Sequence, residues 1–198
     1  MKAVAQRIFR EAFNQDGDIR RERIFKTDET FMPRVVKIAN AIKIRLSKRD
    51  AEAEYYYLSP QNVKATFCWD GNSIACGKRN ITDIVHDIAH HQCAAPSRRH
   101  LPEWGLGTSP DGTKKADLTI DENTAQREEE CASLLGILWE RQIKSNWVGT
   151  IDMHNWIGEG PQDCIRKMTK TLRKLHKLKL VDKDGNPLPN LRPARTNV

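Results

Sequence analysis

The chemistry of this chain concentrates in Ile81-Thr82-Asp83-Ile84-Val85-His86-Asp87-Ile88-Ala89-His90-His91. His86 and His90 are four residues apart, so on a helix both imidazoles project from one face. Two neutral imidazoles at that spacing can bind one divalent metal. Ile84, Val85, Ile88 and Ala89 supply the apolar residues that pack such a helix. Four of the six histidines fall between His86 and His100. An H-x-x-x-H pair is also the mark of a helix with solvated histidines, so a third ligand is needed. Glu128-Glu129-Glu130-Cys131-Ala132-Ser133-Leu134-Leu135-Gly136 opens a second helix and offers three candidates. Three acids in a first helical turn also suit the macrodipole without any metal. Two histidines and one carboxylate leave coordination positions open, a donor set that suits a hydrolytic zinc enzyme or a non-haem iron oxygenase.

These residues need elements to position them. Apolar spacing predicts helices over residues 4–13, 31–46, 80–93, 125–143 and 161–180. Residues 52–58 read as extended. Residues 64–69 read as a strand, Asp70-Gly71 as a turn and residues 72–76 as the returning strand of a hairpin. Residues 96–123 form a long Gly-, Pro-, Ser- and Asp-rich segment without periodicity, a functional or mobile loop. The expected fold is α+β and mainly helical, with a small hairpin or sheet before the histidine helix. Residues 1–180 form one domain and residues 181–198 a basic, flexible tail.

Composition narrows the class. At 198 residues and 22.7 kDa, with 38% hydrophobic and 30% charged residues, the chain supports one buried core. No apolar run approaches the roughly 20 residues that span a bilayer, and the N-terminus lacks a secretory h-region. Five cysteines, an odd number with no close pair, speak against a disulfide framework and for a reducing cytoplasm. Residues 161–198 carry ten Lys or Arg against three acids and so account for the whole net charge of +7. Such a tail could contact nucleic acid or an acidic partner. It has no aromatic residue for base stacking, which favours a solvated helix face.

The order of motifs is more specific than the histidine pair alone. His86-Asp87-Ile88-Ala89-His90, then Arg98-Arg99, Trp104-Gly105 and Pro110-Asp111-Gly112 resembles the core signature of the elongation factor P hydroxylases. In that family the pattern runs HExxH, Arg-Arg, aromatic-Gly and Pro-Asp-Gly, and the offsets match across residues 86–112. The resemblance implies a zincin-like fold and one metal held by two histidines and a glutamate. It also implies hydroxylation of a modified lysine on a translation factor. The second helix is similar to the Glu-x-x-Ala/Ser-Asp segment of zincin metallopeptidases. That likeness implies Glu129 as third ligand and Ser133 as support for a ligand histidine. A helical wheel instead brings Glu128 nearer the apolar face, so Glu128, Glu129 and Glu130 all stay open.

Two departures bear on function. Asp87 stands where both families carry the glutamate that serves metallopeptidases as general base on the metal-bound water. Aspartate is one methylene shorter, and misplacement by about 1 Å can cost on the order of a hundredfold in rate. Ordinary proteolysis suffers more from this than hydroxylation, and Asp87 becomes a weakened base or a supporting residue. His91 replaces an aromatic residue and points about 100° from His90, toward the surface or a supporting position. Arg98 and Arg99 either clamp a substrate carboxylate or phosphate or pin the following loop. His86-Asp87 also matches the pair in HD-type phosphohydrolases, but those need an upstream histidine and none precedes His86.

The favoured expectation is therefore a divalent-metal enzyme, with His86, His90 and Glu129 as ligands, that hydroxylates a protein side chain with iron. A zinc-dependent peptidase-like hydrolase is the second reading. A non-catalytic binding protein on the same scaffold is the third.

Overall fold

Among the described residues the apolar positions are buried along six α-helices, two of which are buried nearly all round over much of their length. The six are α1 (Lys2–Ala12), α2 (Met32–Ala41), α3 (Ile81–Cys93), α4 (Glu122–Ile143), α5 (Trp147–Met153) and α6 (Pro161–Lys177). They are seen in a computed structural model that describes residues 1–14, 16–24, 29–50, 68–77, 79–107, 118–154, 156–158 and 160–194. The fold is mixed and mostly helical, with a small parallel sheet of two strands, β1 (Arg45–Asp50) and β2 (Ser73–Gly77).

Helix α2 stops five residues short of its expected end. Lys43 adopts a left-handed φ of 59°, and the Ile44 amide returns to the Ala39 carbonyl at 2.9 Å. Such a residue terminates the helix and satisfies its last carbonyls. Leu46, which continued the helical stripe in the sequence, instead sits on β1 opposite Ile74 of β2. The sheet is thus a parallel pairing of distant segments, with Arg45 facing Ser73 and Ser47 facing Ala75. Among the described residues the expected hairpin shows as an antiparallel bridge between Trp69 and Ile74, backed by the Ala75 amide on the Cys68 carbonyl at 2.9 Å. Most of its first strand, the extended stretch 52–58 and Pro110-Asp111-Gly112 lie outside the described residues.

Helices α3 and α4 carry the candidate ligands and have well-formed starts. The Asn80 side chain accepts from the Asp83 amide, and the Asp121 side chain from the Thr124 amide, both at 2.9 Å. Each cap satisfies an otherwise orphaned donor and fixes where its helix begins. The two helices pack side by side. Ile84, Val85, Ile88 and Ala89 of one and Leu134, Leu135 and Leu138 of the other are buried in the same core. Helix α5 has no counterpart in the sequence reading, being only 7 residues long. No helix among the described residues is long and apolar enough to cross a membrane.

The C-terminal segment departs from the expected loose tail. Val181 is buried and bridges Pro187. The fully buried Gln92 of α3 donates through Nε2 to the carbonyls of Leu188 and Asn190 at 2.9 and 2.6 Å. Its Oε1 accepts from the Trp139 indole at 2.7 Å, and its backbone carbonyl accepts from the Arg192 amide at 2.9 Å. Residues up to 194 are therefore laid against α3. Composition reports charge and proline, but these carbonyls found a buried amide to bind.

Candidate metal centre

His86 and His90 project from one face of α3 toward Glu129 of α4. The His86 Nε2 lies 3.2 Å from Glu129 Oε1, the His90 Nε2 lies 3.0 Å from Oε2, and the two Nε2 atoms are 2.9 Å apart. Among the described residues this is the group of His, Cys, Asp or Glu side chains that could hold a metal ion. Ligand bonds near 2.1 Å in tetrahedral geometry place two nitrogens about 3.4 Å apart, so a small opening of the pair admits an ion. Burial pushes the Glu129 carboxyl up, but hydrogen bonds from both imidazoles overcome this and hold it well below the usual carboxylate range. Burial likewise opposes charge on His86, while the hydrogen bond and charge of Glu129 leave it raised.

The neighbouring acids go elsewhere. Glu128 is buried, and both its oxygens accept from Arg98 Nη2, at 2.8 and 2.6 Å. Arg192 adds a third contact at 3.3 Å. Glu130 lines the open cleft beside Glu129. Asp87, one residue round the helix from His86, is buried in an ion pair with Arg79 at 2.5 Å. Arg98 also donates to the Trp104 carbonyl at 2.6 Å, and Arg99 reaches the carbonyls of Arg192 at 2.7 Å and His91 at 3.3 Å. Both arginines hold the shell behind the triad, and neither lines the cleft in front of it.

That shell is aromatic. The Trp104 indole stacks on His90 with centroids 5.1 Å apart and lies parallel to Trp69 at 5.9 Å. Its Nε1 donates to His91 Nδ1 at 3.3 Å. His91 is thus buried against two tryptophans rather than set at the surface. Glu103 and Trp104 both adopt left-handed φ, 46° and 54°, a strained pair that turns the indole onto His90. Gly105 follows at φ 67°, where a Cβ would meet Thr119 Oγ1 at 2.4 Å. No protein-family model, curated protein or solved structure matches the chain.

In front of the triad lies a cleft of about 510 Å³. His86, Glu129, Glu130, Ser133, His154 and Trp156 line one side, and Arg166, Lys167, Lys170 and Thr171 of α6 the other. His154 was not found from sequence, because it stands alone beyond the histidine cluster with no spacing to mark it. Its ring meets His86 edge-on at 5.0 Å. The Trp156 indole donates to Ser133 Oγ at 2.9 Å, and Ser133 Oγ shares a hydrogen bond with His154 Nδ1 at 2.7 Å. Burial first, and the neighbouring His86 second, push His154 down to about 4. The ring is therefore neutral near pH 7. Ser133 supports a histidine as expected, but that histidine is His154.

Gly136 lets the two ligand-bearing helices approach. A Cβ there would stand 3.4 Å from the His86 Cα, an ordinary contact. Gly136→Ala should therefore keep the triad and gain roughly 0.5–1 kcal/mol of helix stability. Gly136→Leu should wedge α3 from α4 and lower zinc affinity at least tenfold. Calorimetric zinc titration of both variants checks this, and equal affinity in the two would contradict it.

Glu103 carries a pH dependence. Burial first, and the nearby Asp87 second, push its carboxyl from 4.5 up to about 7, against hydrogen bonds from the Trp69 and Cys68 amides and the charge of His90. Between pH 4.5 and 7 the unfolded chain releases this proton and the folded protein keeps it. The unfolded state then binds fewer protons, so stability falls as pH rises through that window and levels above it. The fall should be roughly 2–3 kcal/mol in metal-free protein. Urea unfolding of wild type and Glu103→Gln at pH 5 and 8 measures it, and the variant should lack the fall. Burial, with Arg99 beside it, pushes His91 down to about 4, so its share of stability is lost on acidification from pH 6.5.

Proposed function

We propose that this protein is a metal-dependent enzyme of the hydroxylase type, acting on a protein side chain and related in design to the elongation factor P hydroxylases. The observation that carries the reading is the convergence of His86 Nε2, His90 Nε2 and the Glu129 carboxylate on one point at the floor of an open cleft. A divalent ion there would supply Lewis acidity and open positions, with iron the choice for oxygen chemistry and zinc for hydrolysis. Two ligands on α3 facing one on α4 also support a zincin-like arrangement of the pair, as the motif order does.

The chain's own residues have defined tasks. Trp104 and the Arg98–Glu128 pair lie behind His90, and substrate approaches from the cleft. His154, hydrogen-bonded through Nδ1 to Ser133, sets a neutral imidazole beside His86. Asp87 is committed to Arg79 and does not serve as a base in the cleft. This favours oxygen chemistry over peptide hydrolysis, because the hydrolase needs a carboxylate on the metal-bound water. One observation keeps the zinc hydrolase as a second reading, since Glu130 places a carboxylate in the cleft wall.

Metal content by elemental mass spectrometry, on untagged wild type and His86→Ala, tests the proposal. Near-stoichiometric iron or zinc in the wild type and loss in the variant is the expected result, with iron marking the oxygenase and zinc the hydrolase. A wild type that neither carries nor takes up either metal would end both readings.

A further inference from the structure

The wall of the cleft facing the triad is built of cations. Arg166, Lys167 and Lys170 stand on consecutive turns of α6 and line it together with Thr171. Their own helix supplies one acid against them. Asp163 contacts Arg166 and lies 3.1 Å from Lys167 Nζ. Lys170 is exposed and has no ion-pair partner among the described residues. Among the described residues Glu130 is the one carboxylate in the lining outside the triad, and it stands on the triad's side. A divalent ion on two neutral imidazoles and one carboxylate would keep a net charge of +1, which Glu130 on the same side offsets, so the cations of α6 set the sign of the concavity. A concave site of one sign focuses its field and concentrates counter-charged ligands. The basic character of the chain's last segment thus reaches the site through α6.

Resting on the metal-centre reading, we propose that the cleft recognises its substrate through an anionic group. That group is a carboxylate or a phosphate, held by Lys170, Lys167 and Arg166 while the reacting end reaches His86 and Glu129. Charge-assisted hydrogen bonds from ammonium and guanidinium groups suit either anion. A lysine-derived ammonium, the substrate that the family resemblance implies, would meet like charge on this wall. The chain would therefore share the metal chemistry of the hydroxylases it resembles and differ from them in what it selects.

The test is calorimetric titration of the zinc-loaded full chain with three probes: inorganic phosphate, a short capped glutamate peptide and a lysine peptide of equal length. At least one anion should bind saturably and weaken with added salt. Its affinity should fall at least tenfold in K167E/K170E and by less in K170Q, whose fold is checked by circular dichroism. Phosphate binding alone points to a phosphorylated substrate, and peptide binding alone to an acidic one. Preference for the lysine peptide overturns the proposal. So does an anion affinity unmoved by charge reversal, or no anion binding at millimolar concentration. Zinc per chain is measured on the same samples. A metal-free wild type would defeat the metal centre itself, while the comparison with K167E/K170E still reads the anion wall separately.

Discussion

Glu128→Ala should lower the free energy of unfolding by about 3–5 kcal/mol, the usual cost of leaving a buried charge unpaired. Arg98 has a side chain only 8% exposed and gives one guanidinium nitrogen to both Glu128 oxygens. Arg192, from the C-terminal segment, reaches the same carboxylate. Removing it strands one buried cation and loosens a second. Against a typical total of about 5–15 kcal/mol, that loss is a large fraction. The midpoint and slope of urea unfolding measure it. Replacing Arg98 and Glu128 together by Met and Leu should recover much of the stability, because the cost lies in the uncompensated charge. A loss below about 1 kcal/mol for Glu128→Ala would mean that solvent reaches this pair and screens it.

Glu129→Ala should give the opposite phenotype one residue away. Its side chain is 47% exposed and makes no contact with the arginines behind the site. The fold should survive its loss, with near-native circular dichroism. Zinc or iron affinity should fall by at least on the order of a hundredfold, since even the loss of a group that merely orients a ligand costs 10–100-fold. Glu129→Gln should fall nearly as far, because the amide keeps the shape but not the charge. Metal competition against a chromophoric chelator, run on both variants beside Glu128→Gln, separates the two carboxylates. Equal metal loss in the Glu128 and Glu129 variants would show a general loosening of α4 and would overturn the assignment of Glu129.

Adjacent glutamates with such different fates show how far one dimension of information reaches. The helical wheel drew Glu128 toward the apolar face, and Glu128 is indeed buried. Motif spacing drew Glu129 toward the histidines, and its carboxylate lies between them. The place of Glu129 was suggested by motif resemblance, whereas the burial of Glu128 follows from helix geometry, because a helix fixes which side chains share a face before any tertiary contact exists. The i, i+4 histidine pair, the extents of α3 and α6 to within a few residues and the single core were legible for the same reason. Hydrophobic period and capping residues act locally.

Whatever needed a partner from elsewhere was not legible. The end of α2 and the parallel pairing of β1 with β2 depend on a segment far along the chain that competes for Leu46. The ordering of residues 181–194 depends on distant partners, among them Arg7, Arg99, Glu128 and the buried Gln92. His154 acquires its place only when α5 folds back beside α4 and Ser133 binds its Nδ1. The basic residues of α6 read as a solvated stripe until packing sets them across a cleft from the triad. Sequence by itself determined which groups could do chemistry and which of them a helix would align. Tertiary structure alone decided which of those groups are spent on buried ion pairs and which remain facing a cavity. That choice rests on desolvation and charge pairing between elements, and neither has a period that a sequence can show.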